Sequence, residues 1–459
     1  MKILILGAGQ VGSSVAAALS VEDENQITVV DRDANRLREL TEKLDIRTVT
    51  GHASLPSVLS QAGTDAADRL AAVPSSDEVN IIACQIAAQQ AAAPTRVARL
   101  REQEYLMLAK QGLGGEAAVT AAISPEQLVC EHVERLIATP GALQVLDFAG
   151  GRAQLVAVRA LHGGALVGHE IRELRRHLPQ GMEVRVAAIF RKGQAVTPEV
   201  ITVIEAGDEV FFLAPQGAIK AMMSELRSAD KRLTKRIFIS GGGGIGRRLA
   251  KSLENRYSIK VLERSRERAR AIAEDLLNTI VLIGDCADED LLREENIDQT
   301  DVYCALTNDD EANILSAMLA KRLGCPRVVA LINRASYAEL VEGSTIDIAI
   351  SPQSVTLSAL LSHIREGAPE RVYSLRRGAA EAIEVVVRGD RRSSKVIGRE
   401  LDDLQLPGST TIGGIVRGDK LLIAHHDIVI EPGDHVILFV TDKRDLSKVI
   451  ALFKEVDWH

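Results

Sequence analysis

Gly7-Ala8-Gly9-Gln10-Val11-Gly12 follows a short apolar run, Lys2 to Leu6, and precedes a run of small residues, Ser13 to Leu19. Strand, glycine turn and helix in that order suit one task, which is holding a pyrophosphate. Gly7 permits the tight turn, Gly9 lets backbone approach the phosphate oxygens, and Gly12 lets the helix pack closely on the strand. Unpaired N–H groups at the helix start complete an anion site. A second apolar run, Ile27 to Val30, ends in Asp31, 24 residues after Gly7. A carboxylate there accepts hydrogen bonds from both hydroxyls of an adenosine ribose and repels a 2′-phosphate, which favours NAD(H). The plainer alternative is a turn that only packs, with Asp31 as a surface cap.

The same chemistry is written twice. Ile237 to Ile239 leads into Gly241-Gly242-Gly243-Gly244-Ile245-Gly246, and Lys260 to Leu262 ends in Glu263, 22 residues after Gly241. Gly284-Asp285 answers Gly51-His52, Asp310 to Asn313 answers Asp77 to Asn80, Tyr337 answers Tyr105, and Ile350-Ser351-Pro352 answers Ile123-Ser124-Pro125. The offset drifts from 234 (Gly7 to Gly241) to 227 (Pro125 to Pro352), as one duplication with small deletions requires. Duplicated halves should pack through similar surfaces, which favours pseudo-symmetric pairing.

These residues need a parallel sheet to position them. In the first half, Arg47 to Val49, Arg69 to Val73, Arg96 to Leu100 and the short Val119 to Ile123 read as further strands. Arg36 to Leu44, Ser57 to Ala62, Asn80 to Ala93 and Glu102 to Gln111 read as the helices between them. After each Ser-Pro comes an amphipathic helix, Glu126 to Ile137 and Val355 to Ile364. Its apolar stripe suits ordinary core packing or contact with a partner copy. The period then changes to short β runs: Leu155 to Val158, Glu183 to Phe190 and Val210 to Leu213, answered by Glu384 to Val387, Thr411 to Val416 and Val436 to Val440. Glu205-Ala206-Gly207-Asp208 and Glu431-Pro432-Gly433-Asp434 are matching turns before the last of these. Lys220 to Lys235 is charged and reads as a helical link between halves. The expected fold class is α/β: two Rossmann-like N-lobes, each followed by a small α+β C-lobe.

Composition narrows the function. The chain has 459 residues, 46% hydrophobic and 26% charged, which suits two to four folded domains. Aromatics are only 3%, so the cores must be aliphatic. With a net charge of −8 and only small basic clusters, Arg175-Arg176-His177 and Lys231-Arg232, nothing recommends nucleic acid as a partner. The five cysteines include no CxxC pair and read as reduced small hydrophobes. His425-His426 is a poor metal site, because adjacent strand side chains face opposite sides. The N-terminal apolar run is the strand of the glycine turn, not a signal peptide, and no apolar stretch is long enough to span a membrane. No GKS or GKT follows either loop, which excludes P-loop hydrolysis. No histidine pairs with an acid at a repeated position. His52 lies near the first crevice, but Asp285 stands in its place in the second half. The chain is therefore expected not to be an enzyme: a nucleotide bound and not consumed is a ligand that biases conformation. A soluble NAD-dependent oxidoreductase is the alternative that a dinucleotide site leaves open.

With MKILILGAGQVG, ITVVDRD, PSSDEVNIIAC and VIEAGDEVFF in one half and ISGGGGIGRRLA, ALTNDDEANILSAMLAKRLG and GSTIDIAISPQ in the other, nearly the whole chain resembles the TrkA family. These are cytoplasmic regulatory subunits of bacterial Trk potassium-uptake systems, with two tandem regulator-of-potassium-conductance (RCK) units. The resemblance implies N-lobes at 1–123 and 232–350, crossover helices with linkers at 124–142 and 351–369, and C-lobes at 143–227 and 370–455. It implies NAD(H) as ligand, with ATP and ADP as further regulatory candidates. It implies a TrkH- or TrkG-like membrane subunit as partner, a homotetramer forming a ring of eight N-lobes, and a peripheral place on the cytoplasmic face of the bacterial inner membrane. A gating subunit of another ion channel or transporter is the neighbouring possibility. Residue by residue, Gly7, Ala8, Gly9, Gln10, Val11 and Gly12 match the first phosphate loop and Asp31 the ribose carboxylate. Pro74 and Ser75 fall where the family lines the nicotinamide side, and Arg99 matches an arginine that reaches the nucleotide. Gly241, Gly242, Gly243, Gly244, Ile245, Gly246, Glu263, Leu306 and Thr307 take the equivalent places in the second unit. Two departures predict unequal sites: Pro74 replaces a common Thr, and Leu331 stands where the first half has Arg99.

Overall fold

Lys2–Leu6 (β1) is apolar on both faces because both faces are covered: Ile3, Leu4, Ile5 and Leu6 are at most 1% exposed. The computed structural model describes residues 1–22, 25–90, 94–112, 118–178, 183–227, 234–341, 345–365, 369–375, 380–424 and 427–454. β1 pairs in parallel with β2 (Gln26–Asp31) and, on its other side, with β4 (Arg69–Ala72). With β3 (Arg47–Thr50), β5 (Thr95–Arg99) and β6 (Ala121–Ile123) they form a parallel sheet in the order β3-β2-β1-β4-β5-β6. Strand order reverses between β1 and β4, which opens a crevice at the carboxyl ends of the strands.

The first C-lobe is an antiparallel sheet, β10-β9-β11-β8-β7. Its strands are β7 (Ala142–Phe148), β8 (Ala153–Arg159), β9 (Arg185–Arg191), β10 (Gln194–Val196) and β11 (Glu209–Ala214). The second N-lobe repeats the parallel order as β14-β13-β12-β15-β16-β17. It is built from β12 (Arg236–Ser240), β13 (Ser258–Glu263), β14 (Thr279–Ile283), β15 (Val302–Ala305), β16 (Val328–Leu331) and β17 (Ile348–Ile350). The second C-lobe repeats the antiparallel order as β18-β19-β22-β20-β21. Its strands are β18 (Arg371–Leu375), β19 (Ala380–Val386), β20 (Thr410–Arg417), β21 (Lys420–Ile423) and β22 (His435–Val440).

One expectation needs correction. The Lys220–Lys235 segment is not one connecting helix. Its helical part, Ile219–Leu226, turns Met222, Met223 and Leu226 into the first C-lobe's core. Residues 228–233, with the Lys231-Arg232 cluster, and His425-His426 lie outside the described residues.

The two halves cross. The first crossover helix, Pro125–Ala138, is capped by Ser124 Oγ, with proline in its first turn. It lies on the helix that follows the second glycine loop, Gly244–Leu253. The Cys130 thiol donates to the Ile245 carbonyl at 3.3 Å, and Ser252 bonds Glu134. The second crossover helix, Pro352–Ile364, capped by Ser351, lies on the first phosphate helix, Gln10–Ser20. There Gln353 donates to the Gln10 carbonyl at 3.3 Å and to Ser14. The crossover helices also pack on each other, so the apolar stripes find their partner in the opposite half of the same chain. One core joins Val129, Val133 and Leu136 to Leu249 and Leu253 of the second N-lobe. A second joins Val15 and Leu19 to Leu360, Ile364 and the second C-lobe. A third fuses the C-lobes, where Phe148 meets Tyr373 edge-on at 5.3 Å.

Charge reinforces the crossings. Arg365, 1% exposed, donates to Glu22 at 2.9 Å and to Glu381 at 2.7 Å, tying the first N-lobe to the second C-lobe. Burial raises the pKa of Glu22, and Arg365 opposes that. The matching joint uses Arg327, which donates to the carbonyls of Leu136 and Ala142, both at 2.7 Å; burial lowers its pKa to about 10. Inside each C-lobe the matching turns are clamped by one arginine. Arg191 grips both oxygens of Asp208 at 2.9 Å and the Val203 carbonyl, and Arg417 grips Asp434 at 2.8 Å and the Val429 carbonyl.

Candidate functional site: two nucleotide clefts

Each cleft begins where its first strand ends. Gly7 and Gly241 adopt φ of +97° and +103°, a turn that L side chains resist. A Cβ on Gly12 would lie 1.8 Å from the Gly7 carbonyl oxygen, and one on Gly246 would lie 1.9 Å from that of Gly241. Gly9 and Gly243 are the N-cap residues, with no side-chain cap, and a Cβ on either would meet nothing within 4 Å. The helix N–H groups therefore face open space wide enough for a phosphate.

The acids reach back to these loops. Asp31 accepts from the Ala8 N–H at 2.6 Å and the Asp33 N–H at 2.8 Å. Glu263 accepts from the Gly242 N–H at 3.0 Å and the Ser265 N–H at 2.8 Å. Glutamate is one methylene longer, and the space is found at residue 242: a Cβ there would lie 2.2 Å from Ile272 Cδ1 and 3.1 Å from Glu263 Oε2. Ala8 with Asp31 and Gly242 with Glu263 are thus matched pairs. Glu263 also receives Arg268 at 3.3 and 3.4 Å. The equivalent Arg36 instead pairs with Asp33 at 3.4 Å.

The tips of β4 and β15 differ more. Thr307 donates its N–H and its hydroxyl to Asn313 Oδ1, at 2.9 and 2.7 Å. Pro74 has neither donor, and Asn80 Oδ1 is buried without a partner among the described residues. The amide of Asn80 still ties Pro74 to the end of β5, donating to both carbonyls, Pro74 at 3.1 Å and Arg99 at 2.7 Å. Asp77 and Asp310, both buried, accept backbone N–H groups after β5 and β16. Their exact recurrence was visible in the sequence, but not their role as braces. Ser75 is exposed and Leu306 buried. Arg99 ends β5 with Nε buried and unpartnered among the described residues; burial, then Arg101, lowers its pKa. Leu331, at the equivalent place, is 3% exposed.

The second cleft has a volume of about 1060 Å³ and is lined by Glu263, Arg264, Arg268, Leu306, Thr307 and, from the first half, Gln10. Sequence reading placed Gln10 only in the first loop; the crossing of the halves brings it to the second. Val11 packs into the core shared with the second C-lobe. His52 bonds Ser54 Oγ at 2.8 Å. Among the described residues no cluster of three side chains could hold a metal, and no helix is long and apolar enough to cross a membrane. The open helix starts, the carboxylates that end β2 and β13, and Asn80 Oδ1 and Arg99 Nε without partners among the described residues are donors and acceptors of the kind that suit an adenine dinucleotide.

Known proteins are similar to this chain in sequence and in fold. The TrkA-N domain model matches residues 3–125 and again 237–352, and the TrkA-C domain model matches 155–227 and 391–454. The Trk system potassium uptake protein TrkA of Halomonas elongata is 55% identical over 456 residues, 99% of each chain. Its counterpart in Vibrio alginolyticus is 54% identical over the same length and share. The solved GsuK channel bound to NAD superposes with a TM-score of 0.61 at 20% identity, over 98% of this chain and 79% of that one, a likeness of fold. The chain belongs to the TrkA family of Trk-system potassium uptake proteins.

Proposed function

We propose that the chain senses NAD(H), with ATP and ADP as rival ligands of the same clefts, and opens or closes a TrkH- or TrkG-like potassium-translocating membrane subunit accordingly. As a member of its family it is a regulatory subunit of potassium uptake and not an enzyme. The reading rests above all on the crossing of the halves. Each crossover helix lies on the phosphate helix of the opposite half. A ligand that draws either phosphate helix toward its pyrophosphate therefore displaces the opposite half. A bound nucleotide shifts such an equilibrium only by its differential affinity for the two arrangements.

Assembly as a homotetramer, with eight N-lobes in a ring at the cytoplasmic face of the inner membrane, would carry that movement to the pore. Exposed apolar residues at repeated positions support a repeated contact: Ile82 and Leu315 are 44% and 60% exposed, Leu108 and Leu340 44% and 77%. The test is calorimetric titration of NADH, NAD, ATP and ADP into the full chain. Binding in more than one affinity class is expected, with Asp31→Ala removing the first. No binding by any of the four would end the proposal.

A further inference from the structure

We infer that the second cleft accepts an adenosine ribose bearing a 2′-phosphate, the NADP(H) chemistry, while the first refuses it. This rests on the reading that both clefts hold dinucleotides. Asp31 keeps its outer lone pairs for ribose hydroxyls, since its partners among the described residues are the Ala8 and Asp33 N–H groups. Glu263, 6% exposed, is engaged by the Gly242 and Ser265 N–H groups and, on both oxygens, by Arg268. Its charge is already compensated before any ligand arrives.

The neighbouring residues differ in the same sense. Beside Asp31 stands a second carboxylate, Asp33, which also engages Arg36 at 3.4 Å. The equivalent residue in the second half is Ser265, which has no charge, so Arg268 pairs with Glu263 at the cleft wall and not with a second carboxylate on its own helix. Arg264, Ser265 and Arg268 all line it. By the same sequence positions, a 2′-phosphate in the first cleft would stand near Arg32 and Arg36 but also near Asp31 and Asp33; in the second it stands near Arg264, Arg268, the Ser265 hydroxyl and one paired carboxylate, Glu263. Arg268, with its side chain 58% exposed, holds Glu263 through Nη1 alone, so it can keep that charge compensated while its Nε and Nη2 N–H groups grip phosphate.

The experiment is calorimetric titration of NADH and NADPH, separately, into the full-length chain. Two NADH and one NADPH per chain are expected. Arg268→Ala should weaken NADPH by about tenfold or more, the usual cost of a lost bond to a charged group. Ser265→Asp imports the first half's own helix cap and should do the same while leaving NADH at the first cleft unchanged. Two NADH and no NADPH would overturn this inference and leave the dinucleotide reading standing. Two NADPH would overturn it also, since the first cleft would then be equally tolerant. Binding of neither would overturn both.

Discussion

In the first cleft an alanine faces an aspartate; in the second a glycine faces a glutamate. Both pairs bring a carboxylate to a loop N–H, at 2.6 and 3.0 Å. Volume is conserved across the pair while neither residue is. Around that shared geometry the halves have diverged. The first half has Pro74, an Asn80 oxygen without a partner among the described residues, and Arg99; the second has Thr307, a satisfied Asn313 and, at the place of Arg99, a buried Leu331 that does not line its cleft. The joints have diverged too, one using a buried ion triad and the other an arginine on carbonyls. Duplication preserved the positions of backbone donors and left the partner chemistry free to change.

Breaking the triad should have the largest effect. Among the described residues, Arg365→Met leaves Glu22 buried with only the Asn25 amide, and Glu381 buried with only the distant Lys443 at 3.9 Å, and should cost about 3–5 kcal/mol in denaturant unfolding. Arg327→Met should cost less, because it strands carbonyls and not charges. Gly242→Ala comes next. It overpacks against Ile272 and Glu263, a cost of about 1–3 kcal/mol, and should weaken nucleotide binding at the second cleft only. Adding Glu263→Asp should recover part of the loss; full additivity of the two costs would refute the matched-pair account. Pro74→Thr should stabilise by about 1 kcal/mol by giving Asn80 Oδ1 the donors that Asn313 already has. An unchanged melting temperature would mean that the orphan is satisfied in some other way.

The smallest effect concerns pH. His132 on the first crossover helix faces the second, where Ala359 holds the equivalent place, and burial, then Arg135, lowers its pKa from 6.5 to about 4. The unfolded chain therefore takes up this proton at a higher pH than the folded one. Stability should fall as pH drops from 6.5 toward 4, by an amount on the order of 1 kcal/mol after allowing for solvent. His132→Asn should flatten that slope in unfolding midpoints measured across the window.

Much of this was legible in the chain itself. Glycine spacing, the acid after the second strand and the drifting offset all depend on neighbours close in sequence, and they led to two Rossmann-like lobes with two clefts. Contacts between distant residues were not legible. Glu22, Arg365 and Glu381 are three ordinary surface residue types until the fold buries them together. The arginine clamps hid inside segments read as matching turns, although Arg191 with Asp208 and Arg417 with Asp434 recur at one offset. β7, β10, β18 and β21 were missed; all four are the outermost strands of the two C-lobe sheets, covered on fewer sides than the inner strands, so a continuous apolar run is not required of them. Gln10 reaches the second cleft only because the halves cross, and no periodicity reports a crossing.

The crossing also sets an order of events during synthesis. Val15 and Leu19 precede Leu360 and Ile364, with which they share a core, by 345 residues, and leave the ribosome that much earlier. At roughly 5–20 residues per second, the face of the first phosphate helix stays bare for some tens of seconds. Through that interval the first phosphate helix has no roof from its own chain, and its apolar face is open to chaperones and to neighbouring nascent copies on the same message.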